Sequence, residues 1–138
     1  MIDHFIALWN NEEKKQMLRD SFARMQKCHD YSDILQNLLE WLSSNLNPSD
    51  CYGRIPDPKR VTSINHGDYQ GTLVFIVAST GYQPNIHFSF KVGYGSCSGC
   101  DTLLSINGEN GYNDALTESQ INDYMSLALH LLQSAKEI

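Results

Sequence analysis

The order of periodicities predicts an α+β domain: N-terminal helices, an antiparallel sheet of about four strands, and a C-terminal helix packed on one face of it. Three observations carry this. Apolar residues recur every three or four positions up to residue 46, and the pattern changes to alternating or continuous apolar runs between residues 61 and 106. A capping-box sequence at Thr117-Glu118-Ser119-Gln120 then opens a final helical stripe. No Pro or Gly run divides the chain, and 138 residues fit a single domain, 1–138.

Residues 1–46 read as helical. Ile2, Phe5, Ile6 and Trp9 share one face of a short first helix. Asn10 or Asn11 can cap a second helix, with Glu12 and Glu13 in the first turn where the helix dipole favours anions. Leu18, Phe22 and Met25 form its apolar face, and Leu35, Leu38, Leu39, Leu42 and Leu46 define a third helix. Asn47-Pro48 stops that helix, because the residue before proline avoids helical geometry. Residues 47–60 hold three of the four prolines and read as a loop. Arg54, Lys59 and Arg60 make it a candidate anion contact.

Residues 61–106 read as the sheet. Residues 61–65 form a first strand, and His66-Gly67-Asp68 signals a turn. Residues 72–78 are continuously apolar or β-branched, as expected of a central strand. Ile86, Phe88, Phe90, Val92 and Tyr94 alternate with His87, Ser89, Lys91 and Gly93, which predicts one buried and one wet face. Residues 102–106 are the expected fourth strand, and residues 107–113, with Gly108 and Gly111, a loop. The final helix, over residues 117–136, has an apolar stripe wide enough for a central position or for a partner chain. We expect a two-fold homodimer through Leu127 and Leu131.

Composition excludes several classes. A formal charge of −6 is the wrong sign for a direct nucleic-acid binder. No apolar run approaches the roughly 20 residues needed to span a bilayer, so no membrane association is expected. Residues 1–61 carry 8 basic and 9 acidic side chains, residues 62–138 only 2 and 7. The sheet and last helix therefore hold most of the excess negative charge, which complements a basic partner surface. Met1-Ile2-Asp3-His4-Phe5 has no basic segment leading into an apolar one, so a cytoplasmic protein with reduced thiols is expected.

The least generic stretch is Tyr94-Gly95-Ser96-Cys97-Ser98-Gly99-Cys100-Asp101. Cys97 and Cys100 admit three readings. A zinc site needs about four ligands, and no second Cys-x-x-Cys or His pair is present, leaving Cys28, His29, Cys51, His66 and His87 as scattered candidates. A redox dithiol usually sits at a helix N-terminus, whereas Leu103, Leu104, Ser105 and Ile106 look like strand or loop. The favoured reading is a structural turn formed by Gly95, Cys97, Gly99 and Cys100, with no metal or other cofactor. Asp101 would accept backbone N–H groups there. His66, Asp68 and Tyr69 lie close together in a second unusual stretch, but no nucleophile is tied to them by local pattern. His66 is read as a turn residue and His130 as a core or rim residue. No catalytic constellation emerges. Trp9 and Trp41 are read as core.

Gly67-Asp68-Tyr69-Gln70-Gly71, the apolar strand after it, the Tyr94 to Asp101 run and the stretch from Asp123 to His130 together resemble a group of small uncharacterised bacteriophage and bacterial proteins. The resemblance spans roughly residues 65–135. It implies a small accessory protein acting in the bacterial host cytoplasm and transfers no catalytic role.

The sequence thus leads to a non-enzymatic phage-type protein that binds and inhibits or redirects a host protein, such as a defence or nucleic-acid-processing factor. Its expected partner-binding residues are Asp68, Tyr69, Tyr94 and Asp101. Two alternatives are a small metal- or redox-active protein using Cys97 and Cys100, and a binder of a small anionic signal through the Arg54 to Arg60 loop.

Overall fold

The computed structural model describes residues 2–25, 28, 30–51, 53–67, 71–81, 86–95, 102–107 and 116–138. Three helices come first: α1 (Ile2–Trp9), α2 (Glu12–Arg24) and α3 (Tyr31–Asn45). Strands β1 (Pro56–Gly67), β2 (Gly71–Ser79) and β3 (His87–Tyr94) follow, then α4 (Thr102–Asn107), α5 (Glu118–Gln133) and β4 (Lys136–Glu137). The sheet is antiparallel throughout, in the order β1-β2-β3-β4. The expected α+β architecture is therefore present.

Local chemistry explains the N-termini of α2, α3 and α5. The Asn11 side chain accepts from the Lys14 N–H at 3.1 Å and Asp30 accepts from Asp33, each satisfying an N-terminal donor that the helix leaves unpaired. At α5, Thr117 Oγ1 accepts from the Gln120 N–H, while Gln120 Oε1 accepts from the Thr117 N–H. This is the reciprocal capping box that the sequence predicts.

The helices pack on one side of the sheet. Register places Val61, Val77 and Phe88 on that side, with Ser63, Phe75 and Phe90 one step along. Phe75, Val77, Phe88 and Phe90 are buried there against Phe5, Leu38, Leu42, Leu131 and Leu132. Phe5 meets Phe88 with ring centroids 5.6 Å apart, and Trp9 meets Trp41 edge-on. The opposite face carries Thr62, Ile64, Thr72, Val74, Ile76, Ala78, His87 and Lys91. Val74, Ile76 and Ala78 are half-buried, and Ile64 is 42% exposed. The continuous apolar run of β2 is thus buried fully on one face only.

Several expectations need correction. The first strand begins at Pro56 rather than Val61, so residues 56–60 are not loop. Proline is tolerated because β1 is an edge strand, and the β1–β2 register shifts between Pro56 and Val61. Residues 102–106 are not the fourth strand but lie in α4, so a strand after Cys100 does not weigh against a dithiol pair. The fourth strand is β4, which follows α5 and pairs with β3 at Phe88 and Ser89. Leu127 is 4% exposed and Leu131 fully buried, because α5 packs against α1, α2, α3, α4 and β3. The wide stripe of α5 is explained by this central position, which leaves those side chains no surface for a homodimer. His130 is exposed, so of the two expected placements, core or rim, the core one does not hold.

Candidate functional site

Of the expected site residues, Tyr94 and Gly95 are described. Asp68, Tyr69, Cys97, Gly99, Cys100 and Asp101 lie outside the described residues. The strands still fix where their flanking residues stand. Gly67 pairs with Gly71, and Gly71 pairs with Tyr94. The ends that bracket residues 68–70 and the residue from which the 95–101 run departs therefore share one end of the sheet. On the helix side of that end, Tyr94 donates its hydroxyl hydrogen to Asn65 Oδ1, tying β3 to β1 across β2.

The first turn of α3 approaches the same half of the sheet. Ser32, Asp33, Leu35 and Gln36 on α3 and Val61, Ser63 and Phe75 on the strands line a cavity of about 290 Å³. Its floor is apolar, since Leu35 and Phe75 are each 1% exposed. Among the described residues its wall holds one carboxylate, Asp33, and no cation. Across the helix layer, α4 is pinned by buried polar contacts. The Leu103 N–H donates to the Tyr31 hydroxyl at 3.3 Å, and Gln120 Nε2 donates to the Ile106 carbonyl at 3.0 Å. Asn107 Nδ2 donates to the Cys28 carbonyl at 2.7 Å and its Oδ1 accepts from the Tyr124 hydroxyl, which itself accepts from the Cys28 N–H at 3.2 Å. Residue type hints at Gln120 and Tyr124, but their long-range partners leave no local signal in sequence.

Electrostatics separate Cys28 and Cys51 from reactive thiols. Burial, reinforced by the nearby Asp33 and Asp30 charges, pushes the Cys28 thiol up to about 12. Burial and Asp50 also raise Cys51. Both thiols are free and buried, and a thiol held protonated is a poor nucleophile and metal ligand. Burial likewise pushes the Tyr124 phenol up to about 12. Among the described residues no three or more His, Cys, Asp or Glu side chains gather as a metal site. No described helix is long and apolar enough to cross a membrane.

The basic segment has a structural task. Arg60 Nε lies 3.2 Å from Asp57 Oδ2, and its guanidinium donates to the Ser79 carbonyl at 3.2 Å and the Gly81 carbonyl at 2.6 Å. It braces the start of β1 against the end of β2. Arg54 and Lys59 remain exposed.

Comparison of the chain with protein-family models, curated proteins and solved structures finds no match.

Proposed function

We propose that this protein is a non-enzymatic accessory protein that binds and inhibits or redirects a host protein with a basic surface, and that the β1–β2 hairpin end of the sheet is its recognition end. The phage-type origin rests on the two sequence motifs that converge there. The observation that carries the reading is that convergence. Gly67, Gly71 and Tyr94 adjoin one another, so both unusual sequence stretches depart from one end of the sheet. Those stretches supply Asp68, Tyr69 and Asp101, and the first turn of the neighbouring α3 adds Asp33. Carboxylates accelerate encounter with a cationic surface, and aromatic side chains supply the contact area that interfaces favour.

The test is capture of a partner from bacterial lysate, followed by association rates across a salt series. The rate is expected to fall as salt rises and to fall again in Asp68→Asn and Asp101→Asn, with melting temperatures unchanged. Unchanged association together with lowered melting temperatures would assign both residues to turn capping and refute the recognition end.

A further inference from the structure

The two edges of the sheet are finished differently. On the β3 side, β4 pairs with Phe88 and Ser89, and Ile138 exchanges backbone hydrogen bonds with His87. The next free donor, the Lys91 N–H, is met by Ser134 Oγ at 2.8 Å. On the β1 side, residues 61–67 make no backbone hydrogen bond to any described residue outside the β1–β2 ladder. In an antiparallel pair about half of a strand's N–H and C=O groups point away from its neighbour. Here they form a row of unmet donors and acceptors seven residues long. Proteins usually blunt such an edge with lysine, proline or a bulge. Both prolines and the register shift of β1 lie before residue 61, and residues 61–67 contain no Lys, Arg, Asp or Glu.

Beside this edge runs the cavity between β1 and α3, with Leu35, Val61 and Phe75 as its apolar part and Asp33 on its wall. We propose that the free edge of β1 takes up an extended segment of a partner protein as a fifth strand. An apolar side chain of that segment enters the α3–β1 groove, and a neighbouring Lys or Arg faces the acidic helix α3. The inference rests on the protein-binding function proposed above and names the surface that serves it.

Backbone chemistry selects an extended chain, because only a strand offers donors and acceptors at the spacing of the β1 edge. Charge selects a basic segment over a second copy of this chain. Helix α3 packs on β1 and carries Asp33 and Glu40 with no Lys or Arg. Two copies joined edge to edge would set two such acidic helices side by side. Seven paired residues are also fewer than the roughly 20–30 residues a side of a standard protein interface, whereas they match a short segment. The open sheet face presents no Phe, Tyr or Trp side chain among the described residues, so it lacks the row of large rings on which a single-stranded nucleic acid stacks.

The test screens the full chain against a display library of random twelve-residue peptides and synthesises the enriched sequences. These are expected to alternate apolar residues with polar ones, to carry Lys or Arg and to lack proline. Amide hydrogen exchange of the complex should slow at alternate positions between residues 61 and 67. Asp33→Lys should weaken binding about tenfold, and Gln36→Lys on the same wall provides the charge test if the first variant does not fold. Peptides that instead protect a second groove, lined by Met17 and Arg24 of α2 and Asn37 and Trp41 of α3, would overturn this surface and leave the protein-binding reading standing. Absence of any enriched peptide would overturn the proposal, and only if lysate capture also failed would it count against the reading itself. A dimer in light scattering whose β1 amides are already protected would replace the peptide with a second copy.

Discussion

The two faces of the sheet share the same three long strands and differ in what side chains cost to change. Toward the helices stand Phe75, Val77, Phe88 and Phe90, none more than 1% exposed. Away from them stand Ile64, Val74, Ile76 and Ala78, which are apolar in sequence yet half-buried or exposed. Both sets are β-branched or aromatic enough to favour strands, so residue type alone does not reveal which face is covered. Ser89 shows how local the distinction becomes. It lies on the outer face, yet it is buried because it sits between Ile76 and Lys136 on the flanking strands.

The largest expected effect is on the covered face. Phe88→Ala should destabilise the protein by about 3–5 kcal/mol, because it removes a fully buried ring and leaves a cavity beside Phe5. Urea denaturation measures this, and a loss under about 1 kcal/mol would mean that the helix layer does not pack as described. Next comes Tyr124→Phe within the same layer, expected to cost about 1–3 kcal/mol. The change removes the hydroxyl that accepts from the buried Cys28 N–H and donates to Asn107 Oδ1.

Alkali should then act on the same buried layer. Cys28 keeps its proton to about pH 12 in the folded chain, against an ordinary value of 9.0. Above about pH 9 the unfolded chain has released that proton and the folded chain has not. Stability is therefore full below pH 9 and falls as pH rises, at most by about 1.4 kcal/mol per pH unit for this group. Tyr124 adds to the fall from pH 10 upward. Urea midpoints across this range should decline in the parent and decline less in Cys28→Ala, and parallel profiles would exclude Cys28 as a source. The smallest effect is expected on the open face: Ile64→Thr should change stability by no more than about 0.5 kcal/mol. A loss of several kcal/mol would show that the open face is covered.

The same comparison explains what was legible in the sequence. The first three helices, the α5 cap and the alternation of β3 all follow from local periodicity or capping, and each is present. The misplaced elements have other causes. Pro56 and Pro58 read as loop because proline breaks a central strand, but β1 is an edge. The six residues of α4 have too little length for a helical pattern, and contacts from Tyr31, Gln120, Tyr124 and Cys28 hold the helix in place. β4 is two charged residues, Lys136 and Glu137, whose strand geometry comes from β3 alone. At the candidate site, the turn residues marked both stretches and Tyr94 is where the alternation placed it. Asp33 entered only through tertiary packing, since at the level of sequence it is simply an acidic residue in the first turn of a helix.

The Trp9–Trp41 pair has a consequence for how the molecule can be watched. These are the only two tryptophans, they stand 6.1 Å apart with rings at 84°, and the Trp41 indole N–H donates to the Lys14 carbonyl at 2.7 Å. Both belong to the layer built by α1, α2 and α3, with Lys15 over the Trp9 ring. Intrinsic emission therefore reports the assembly of that layer, while the strands have no indole of their own. Loosening confined to the sheet is optically quiet in this channel and has to be followed through the backbone, by infrared absorption or amide exchange.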